Sequence, residues 1–433
     1  MKDLLIDKIR SLKARVAVIG MGYVGLPLIQ EFVKKGYYTF GIGIDPEKVR
    51  FLQEGRSYIT DIKDSEIQEI IQTGRFFPGT SYEVLEEADA IIITVPTPLS
   101  KTRDPDISYV MAATESILQH LHRGQLIVLE STTYPGTTEE LVKPKLEESG
   151  LRSGVDFFLA YSPERINPGD PVYRLPNTPK VVGGVDPQST EVAVTLYQSI
   201  IQEVVPVSSA KVAEMVKLLE NTFRSVNIAL VNEMAIACSI LGIDIWEVIE
   251  AAGTKPFGFM KFYPGPGIGG HCIPVDPHYL AWKLKTLNYN ARFIELASEI
   301  NTSMPRHIVT RVQDALNNIG RPVKGSKILI LGVAYKRDIN DIRESPALDI
   351  MEMLREKGAK LFYHDPYVPS FVVGGERFES TELNDEFLKS LDIAVIVTDH
   401  SNVPYDRIVR TGVLVFDTRN VLKGVQAPNI LRL

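Results

Sequence analysis

Short, uninterrupted apolar runs alternate with stretches of helical periodicity through the first two hundred residues. Residues 15–19 read as a buried strand and 24–35 as a helix. A second strand follows at 38–44, and further apolar runs stand at 90–95 and 125–129. Runs of four to six apolar residues with no polar alternation suit strands covered on both faces. The strand–helix–strand rhythm therefore predicts a parallel, doubly wound sheet. Additional strands at 157–161 and 180–183 take this region to about residue 205.

The middle of the chain has a different period. No proline occurs from Ser209 to about Leu241, and Val212, Val216, Leu219, Phe223, Val226 and Leu230 recur at helical spacing. One helix of unusual length is predicted, either buried in a core, bridging domains or meeting another subunit. After Arg321-Pro322 the first rhythm returns, with strands at 327–332, 361–365, 393–397 and 413–416 and a helix at 345–357. The fold class expected is α/β: two Rossmann-like doubly wound domains joined by a long central helix and a helical middle domain. The expected boundaries are 1–205, 206–310 and 311–433.

Bulk properties narrow the function without deciding it. A chain of 433 residues with 44% apolar and 23% charged positions can build several cores. A net charge of −7 with no basic block argues against nucleic acid as the main partner. Cys238 and Cys272 are the only cysteines, which suits a reducing cytoplasm better than a disulfide scaffold. Charges throughout the first fifteen residues do not resemble a signal peptide, and no run of eighteen apolar residues occurs. The expectation is a cytoplasmic protein with no membrane span.

Two segments carry chemistry. In the first, Gly20-Met-Gly22-Tyr23-Val24-Gly25 follows a strand and opens a helix, with Asp45 twenty residues beyond Gly25 at the end of the next strand. Gly20 permits the tight turn, Gly22 lets the backbone approach a pyrophosphate, and Gly25 allows close helix packing. The helix N-terminus attracts the phosphates, and Asp45 can accept hydrogen bonds from ribose hydroxyls. A carboxylate there repels a 2′-phosphate, so NAD is favoured over NADP, with Arg50 the one nearby residue that tempers the choice. The corresponding C-terminal turn, Gly332-Val-Ala-Tyr-Lys336, lacks the second and third glycines. Lys336 and Arg343 beside it suggest a different phosphorylated ligand. No metal is expected.

The second segment is Pro264-Gly-Pro-Gly-Ile-Gly-Gly-His271-Cys272-Ile-Pro-Val275-Asp276-Pro. Four glycines before the cysteine allow unusual backbone geometry and a close approach to a ligand. A cysteine in such a loop is by itself more often inert, but beside a dinucleotide domain it has a use. A thiolate adds to an aldehyde, and the adduct can donate a hydride that the free aldehyde gives up poorly. His271 is a neighbour in sequence, which alone does not aim it at the thiol, and Cys238 reads as a core thiol.

With these residues the chain resembles the UDP-glucose/GDP-mannose dehydrogenase family along almost its whole length. The matching segments include Val95-Pro-Thr97-Pro, Glu130-Ser-Thr132-Thr, Tyr161-Ser-Pro-Glu164-Arg165, Lys217-Leu-Leu-Glu-Asn221, the cysteine loop, Tyr335-Lys336-Arg-Asp and Asp341-Ile-Arg343-Glu-Ser. The resemblance implies Cys272 as nucleophile, Lys217 and Asn221 as stabilisers of the oxyanion, and Asp276 as an aid to proton transfer through water. It implies Glu164 and Thr132 as groups that position substrate and water, with Thr97 and Thr132 also near the cofactor. Arg165 and Lys336 would contact the UDP-sugar and Arg343 the cofactor, in an interdomain cleft. A homodimer through the central helix is implied as well.

The flanks of the cysteine bear on the sugar. His271 and Val275 stand where the UDP-glucose branch usually has serine and lysine, and Ser-Pro-Glu-Arg-Ile-Asn-Pro-Gly leans the same way. This resembles the branch acting on UDP-N-acetylhexosamines, with UDP-N-acetylglucosamine favoured and UDP-N-acetylgalactosamine, UDP-N-acetylmannosamine and UDP-glucose as alternatives. The expected reaction is a four-electron oxidation at C6 to a uronic acid, for surface polysaccharide synthesis. Two rivals stand beside it: a two-electron hydroxyacid dehydrogenase of the 6-phosphogluconate type, and an NAD/UDP-sugar-binding regulatory protein without turnover.

Overall fold

The computed structural model describes residues 1–59, 62–100, 104–166 and 172–433. The chain divides into two compact units, one of Met1–Glu220 with His278–Tyr289, the other of Asn221–Pro277 with Asn290–Leu433.

The first unit is built on eight strands: β1 (Arg15–Ile19), β2 (Tyr38–Ile42), β3 (Phe76–Gly79), β4 (Ala90–Ile93), β5 (Leu126–Leu129), β6 (Phe158–Tyr161), β7 (Lys180–Gly184) and β8 (Val204–Pro206). Their order across the sheet is β3-β2-β1-β4-β5-β6-β7-β8. The chain moves outward from β1 through β2 and β3, then returns to place β4 on the other side of β1. The edge between β1 and β4 is thus the switch point where doubly wound sheets bind ligands. Side chains alternate between the faces, so Val16 and Val18 enter one apolar cluster while Ala17 and Ile19 enter another.

The expected all-parallel sheet holds except at one pair, because β7 runs antiparallel to β6. No α-helix joins these two strands among the described residues; a three-residue 3₁₀ turn, Leu175–Asn177, lies in the connection. A parallel return normally requires a crossover helix. A fully buried strand reads as an apolar run in either direction, so the sequence did not reveal the reversal.

The second unit holds β9 (Lys327–Leu331), β10 (Lys360–His364), an antiparallel hairpin of β11 (Ser370–Val373) and β12 (Glu376–Glu379), then β13 (Ile393–Ile396), β14 (Leu414–Asp417) and β15 (Ile430–Arg432). Five of these form a parallel sheet ordered β10-β9-β13-β14-β15. Helices Ile245–Ala252 and Arg292–Asn318 share one apolar cluster with this sheet, joining Trp246, Ile249, Met304 and Ile308 to Ile328, Ile330 and Val395.

The long helix is present as Ala210–Leu241, and it leaves part of its apolar surface facing outward. The apolar stripe Leu219, Phe223 and Leu230 is exposed, at 59%, 47% and 52%. The buried side is mixed, with Glu214, Lys217, Asn221, Ser225 and Asn232 among Ala213, Leu218, Ala229, Val231 and Ala235. An eighteen-residue window of this helix reaches a mean hydropathy of 1.3, enough by length and composition to cross a membrane, although the sequence contains no unbroken run of eighteen apolar residues. Buried core helices pass the same test, and only a third of this window is buried.

Candidate active site

The glycine turn sits at the switch point of the first sheet. Gly20 has φ +101°, and a Cβ there would stand 2.6 Å from the Thr94 carbonyl oxygen. A Cβ at Gly25 would meet the Gly20 oxygen at 1.8 Å, so this glycine lets helix Gly25–Lys35 start against the turn. Around Gly22 nothing lies within 4 Å of such an atom, which leaves the backbone open to a pyrophosphate. Tyr23 is exposed and Val24 half-buried on the same turn.

Asp45 caps helix Pro46–Gln53, its Oδ1 accepting from the Glu47 and Lys48 N–H groups. A cavity of about 370 Å³ opens beside it, lined by Ile42, Pro46, Val49, Phe77 and Val84 among others. An apolar slot next to a strand-end carboxylate fits an adenosine. Arg50 leans on Glu47 and Glu54 at 3.9 and 3.7 Å, so two carboxylates share its charge. Thr97 is buried, its carbonyl accepting from the Tyr279 hydroxyl at 3.0 Å, and Thr132 is half-buried after β5. The residues present therefore fit a dinucleotide with an unphosphorylated ribose.

Lys217 and Glu164 come together in this unit. The Lys217 ammonium donates to the Glu164 carbonyl oxygen at 2.6 Å and is 8% exposed. The Glu164 carboxylate accepts from the Ile166 N–H through Oε1. Its Oε2 is buried with no hydrogen-bond partner among the described residues, so an acceptor is held ready for another group. Arg165 donates to Glu220 at 2.6 Å and to the Pro179 carbonyl at 2.7 Å. Asn167 to Gly169 of that motif lie outside the described residues.

Beneath these groups lies a buried network the sequence reading missed. Glu130 accepts from Lys180 at 2.9 Å and from the Tyr197 hydroxyl, and all three residues are almost wholly buried. Burial pushes the Glu130 carboxyl up and the Lys180 charge pulls it back. A lysine opening an apolar strand reads as a surface residue, so the sequence carried no signal for this pair.

In the second unit Cys272 is exposed, and Asp276 opens helix Asp276–Thr286. The Cys272 carbonyl accepts from the Val275 and Asp276 N–H groups at 3.1 and 2.8 Å. Asp276 is buried and accepts from the Asn221 side-chain amide, so these two predicted partners meet. Gly270 donates its N–H to the Arg343 carbonyl at 3.0 Å with φ +87°, and a Cβ there would lie 2.7 Å from the Tyr335 ring. The cysteine loop therefore rests on the segment that carries Lys336 and Arg343. Arg343 pairs with Asp341 at 2.6 Å, and Lys336 is half-buried.

Comparison with known proteins gives the family. Three models of the UDP-glucose/GDP-mannose dehydrogenase family match in order: the NAD binding domain at residues 14–201, the central domain at 211–303 and the UDP binding domain at 329–424. The UDP-N-acetyl-D-glucosamine 6-dehydrogenase of Pseudomonas aeruginosa is 39% identical over 82% of this chain and 83% of its own. The UDP-N-acetyl-D-mannosamine dehydrogenase of Pyrococcus horikoshii is 35% identical over 94% and 96%. A solved structure of the UDP-D-ManNAc dehydrogenase from Pyrococcus horikoshii superimposes with a TM-score of 0.88 at 34% identity, over 96% of this chain and 98% of that one. By motif, by fold and by these likenesses, the chain belongs to the UDP-glucose/GDP-mannose dehydrogenase family and uses NAD.

Proposed function

We propose that the protein oxidises C6 of a UDP-N-acetylhexosamine to the carboxylate, most directly UDP-N-acetylglucosamine, at the expense of two NAD. The observation that carries the reading is Cys272, exposed on a glycine loop, followed one turn later by the Asp276–Asn221 pair. When bound, NAD accepts a hydride in each of two oxidations.

The residues then divide the work. The first oxidation turns the C6 alcohol into an aldehyde, its hydroxyl proton leaving through water near Asp276. Cys272 as thiolate adds to the aldehyde carbon, forming a C–S bond and an oxyanion that Lys217 and Asn221 stabilise. Loss of hydride from this adduct leaves a thioester. Water, positioned by Glu164 and Thr132, cleaves the C–S bond and returns the thiol. Gly20, Gly22, Tyr23, Val24, Gly25, Asp45, Arg50, Thr97, Thr132 and Arg343 are assigned to the cofactor, and Arg165 and Lys336 to the UDP-sugar. We assign domains to 1–205, 206–310 and 311–433, a homodimer to the exposed stripe of the long helix, and a cytoplasmic setting to the reaction.

The mannosamine epimer is the second reading, supported by the 94% coverage of the relative of that name. Incubation with NAD and a panel of UDP-hexoses and UDP-N-acetylhexosamines separates the two. The expected result is two NADH per UDP-N-acetylglucosamine and a uronic acid. One NADH with a stable ketone overturns the reaction, and full activity of Cys272→Ala, expected to fall about a thousandfold or more, favours a hydroxyacid dehydrogenase. Binding of NAD and UDP-sugars without turnover of any of them leaves the regulatory reading.

A further inference from the structure

At the tip of its second strand each Rossmann-like unit has an acid, Asp45 after β2 and Asp365 after β10. In the second unit that acid turns inward. Asp365 is 2% exposed, and its Oδ2 accepts from the Val333 and Ala334 N–H groups at 2.8 and 3.0 Å. These are the N–H groups of the turn after the unit's first strand, where a dinucleotide phosphate would be received. The same oxygen meets Nε2 of His400 at 2.9 Å, and the imidazole is wholly buried. On its other side His400 Nδ1 accepts from the Asp338 N–H at 3.0 Å, which fixes the ring with its proton on Nε2.

The segment between these anchors is 335–337, containing Lys336. Its far end is held at Asp338, a non-glycine residue with φ +60° whose carboxylate accepts from the Ser401 N–H at 2.8 Å. Such a backbone conformation persists only where its surroundings enforce it. Thr398 adds a bond from Oγ1 to the Ala334 carbonyl at 2.6 Å. The aromatic ring of Tyr335 in turn backs Gly270, two residues before Cys272.

We infer that Asp365 and His400 are positioning residues: a buried carboxylate–imidazole pair that takes the place of a phosphate at the second unit's turn and fixes residues 333–338 so that Lys336 meets the substrate's diphosphate. This rests on the proposed role of Lys336 in holding the UDP-sugar. The pair has the form of a support that orients a binding group through hydrogen bonds without touching the ligand.

Three substitutions separate the two bonds. His400→Leu removes both, His400→Gln retains a donor towards Asp365, and His400→Asn retains an acceptor for the Asp338 N–H. In the NAD-saturated enzyme, KM for UDP-N-acetylglucosamine and Ki for UDP are expected to rise about tenfold in His400→Leu, the effect of a lost charge-assisted hydrogen bond. The glutamine and asparagine variants should lie between, at about threefold. NADH affinity, read by fluorescence titration, should stay within about twofold in all three, since the glycine turn and Asp45 are in the other unit and Arg343, the one cofactor group assigned to this unit, lies outside residues 333–338. Parent-like KM and Ki in the glutamine and asparagine variants overturn the inference, whether or not the leucine variant folds. Parallel loss of NADH binding also overturns it, as a general loss of structure. Lys336→Ala tests the underlying reading separately: unchanged KM and Ki there refute the role of Lys336, whereas a rise there with none in the His400 variants refutes the positioning pair alone.

Discussion

Glu214 lies one helical turn before Lys217 on Ala210–Leu241 and is fully buried. Its carboxylate accepts from the Gly136 and Thr138 N–H groups and the Thr138 hydroxyl. Burial outweighs these donors and pushes the carboxyl up from the ordinary 4.5 to about 7. Ionisation therefore costs more in the folded chain than in the unfolded one. The contribution to stability is complete below pH 4.5 and is lost as pH rises through 7, a swing of roughly 3 kcal/mol. Glu214→Gln cannot ionise, so its unfolding free energy should gain on the parent by that amount between pH 4.5 and 8. Denaturant unfolding of both proteins across this range checks it, and a constant difference refutes it.

At the scale of elements, much was legible in advance. β1, β2 and the glycine turn were readable because strand period, glycine spacing and a distant acid agree, and the structure opens a cavity beside that acid. The cysteine loop stood out by its glycine and proline content, while a role for Cys272 was suggested only by the dinucleotide motif and the family resemblance, and the structure exposes it. Asp365 and His400 were not readable, since each is a common residue whose role depends on pairing over thirty-five positions. Nor was the outward face of the long helix, because periodicity reveals that a stripe is apolar and is silent on which side it lies. If that stripe packs on a second copy, charge should break the contact. Leu219→Glu with Leu230→Glu is expected to convert a dimer to a monomer in light scattering, with the secondary structure retained. A parent protein that is already monomeric refutes the assignment.

For the whole molecule, the family's NAD binding domain falls in the first unit and its UDP binding domain in the second. NAD should slow amide exchange mainly in residues 18–26, 45–53 and 94–98 of the first, whereas UDP should protect 264–272 and 333–345 of the second. Hydrogen-exchange mass spectrometry with each ligand alone distinguishes this from a single shared response. Protection of 264–272 by UDP is the informative part, since the bond from Gly270 to Arg343 joins the cysteine loop to the segment carrying Lys336.

The outward apolar stripe of the long helix also has a consequence for how the chain reaches its native state. A helix that keeps Leu219, Phe223 and Leu230 outside buries only part of its apolar surface when its own chain closes on it. If the proposed dimer forms on that stripe, the remainder is covered only by collision with a second copy. Recovery from denaturant should then contain a second-order phase whose rate scales with protein concentration, and dilute refolding should yield less active enzyme for the same time allowed.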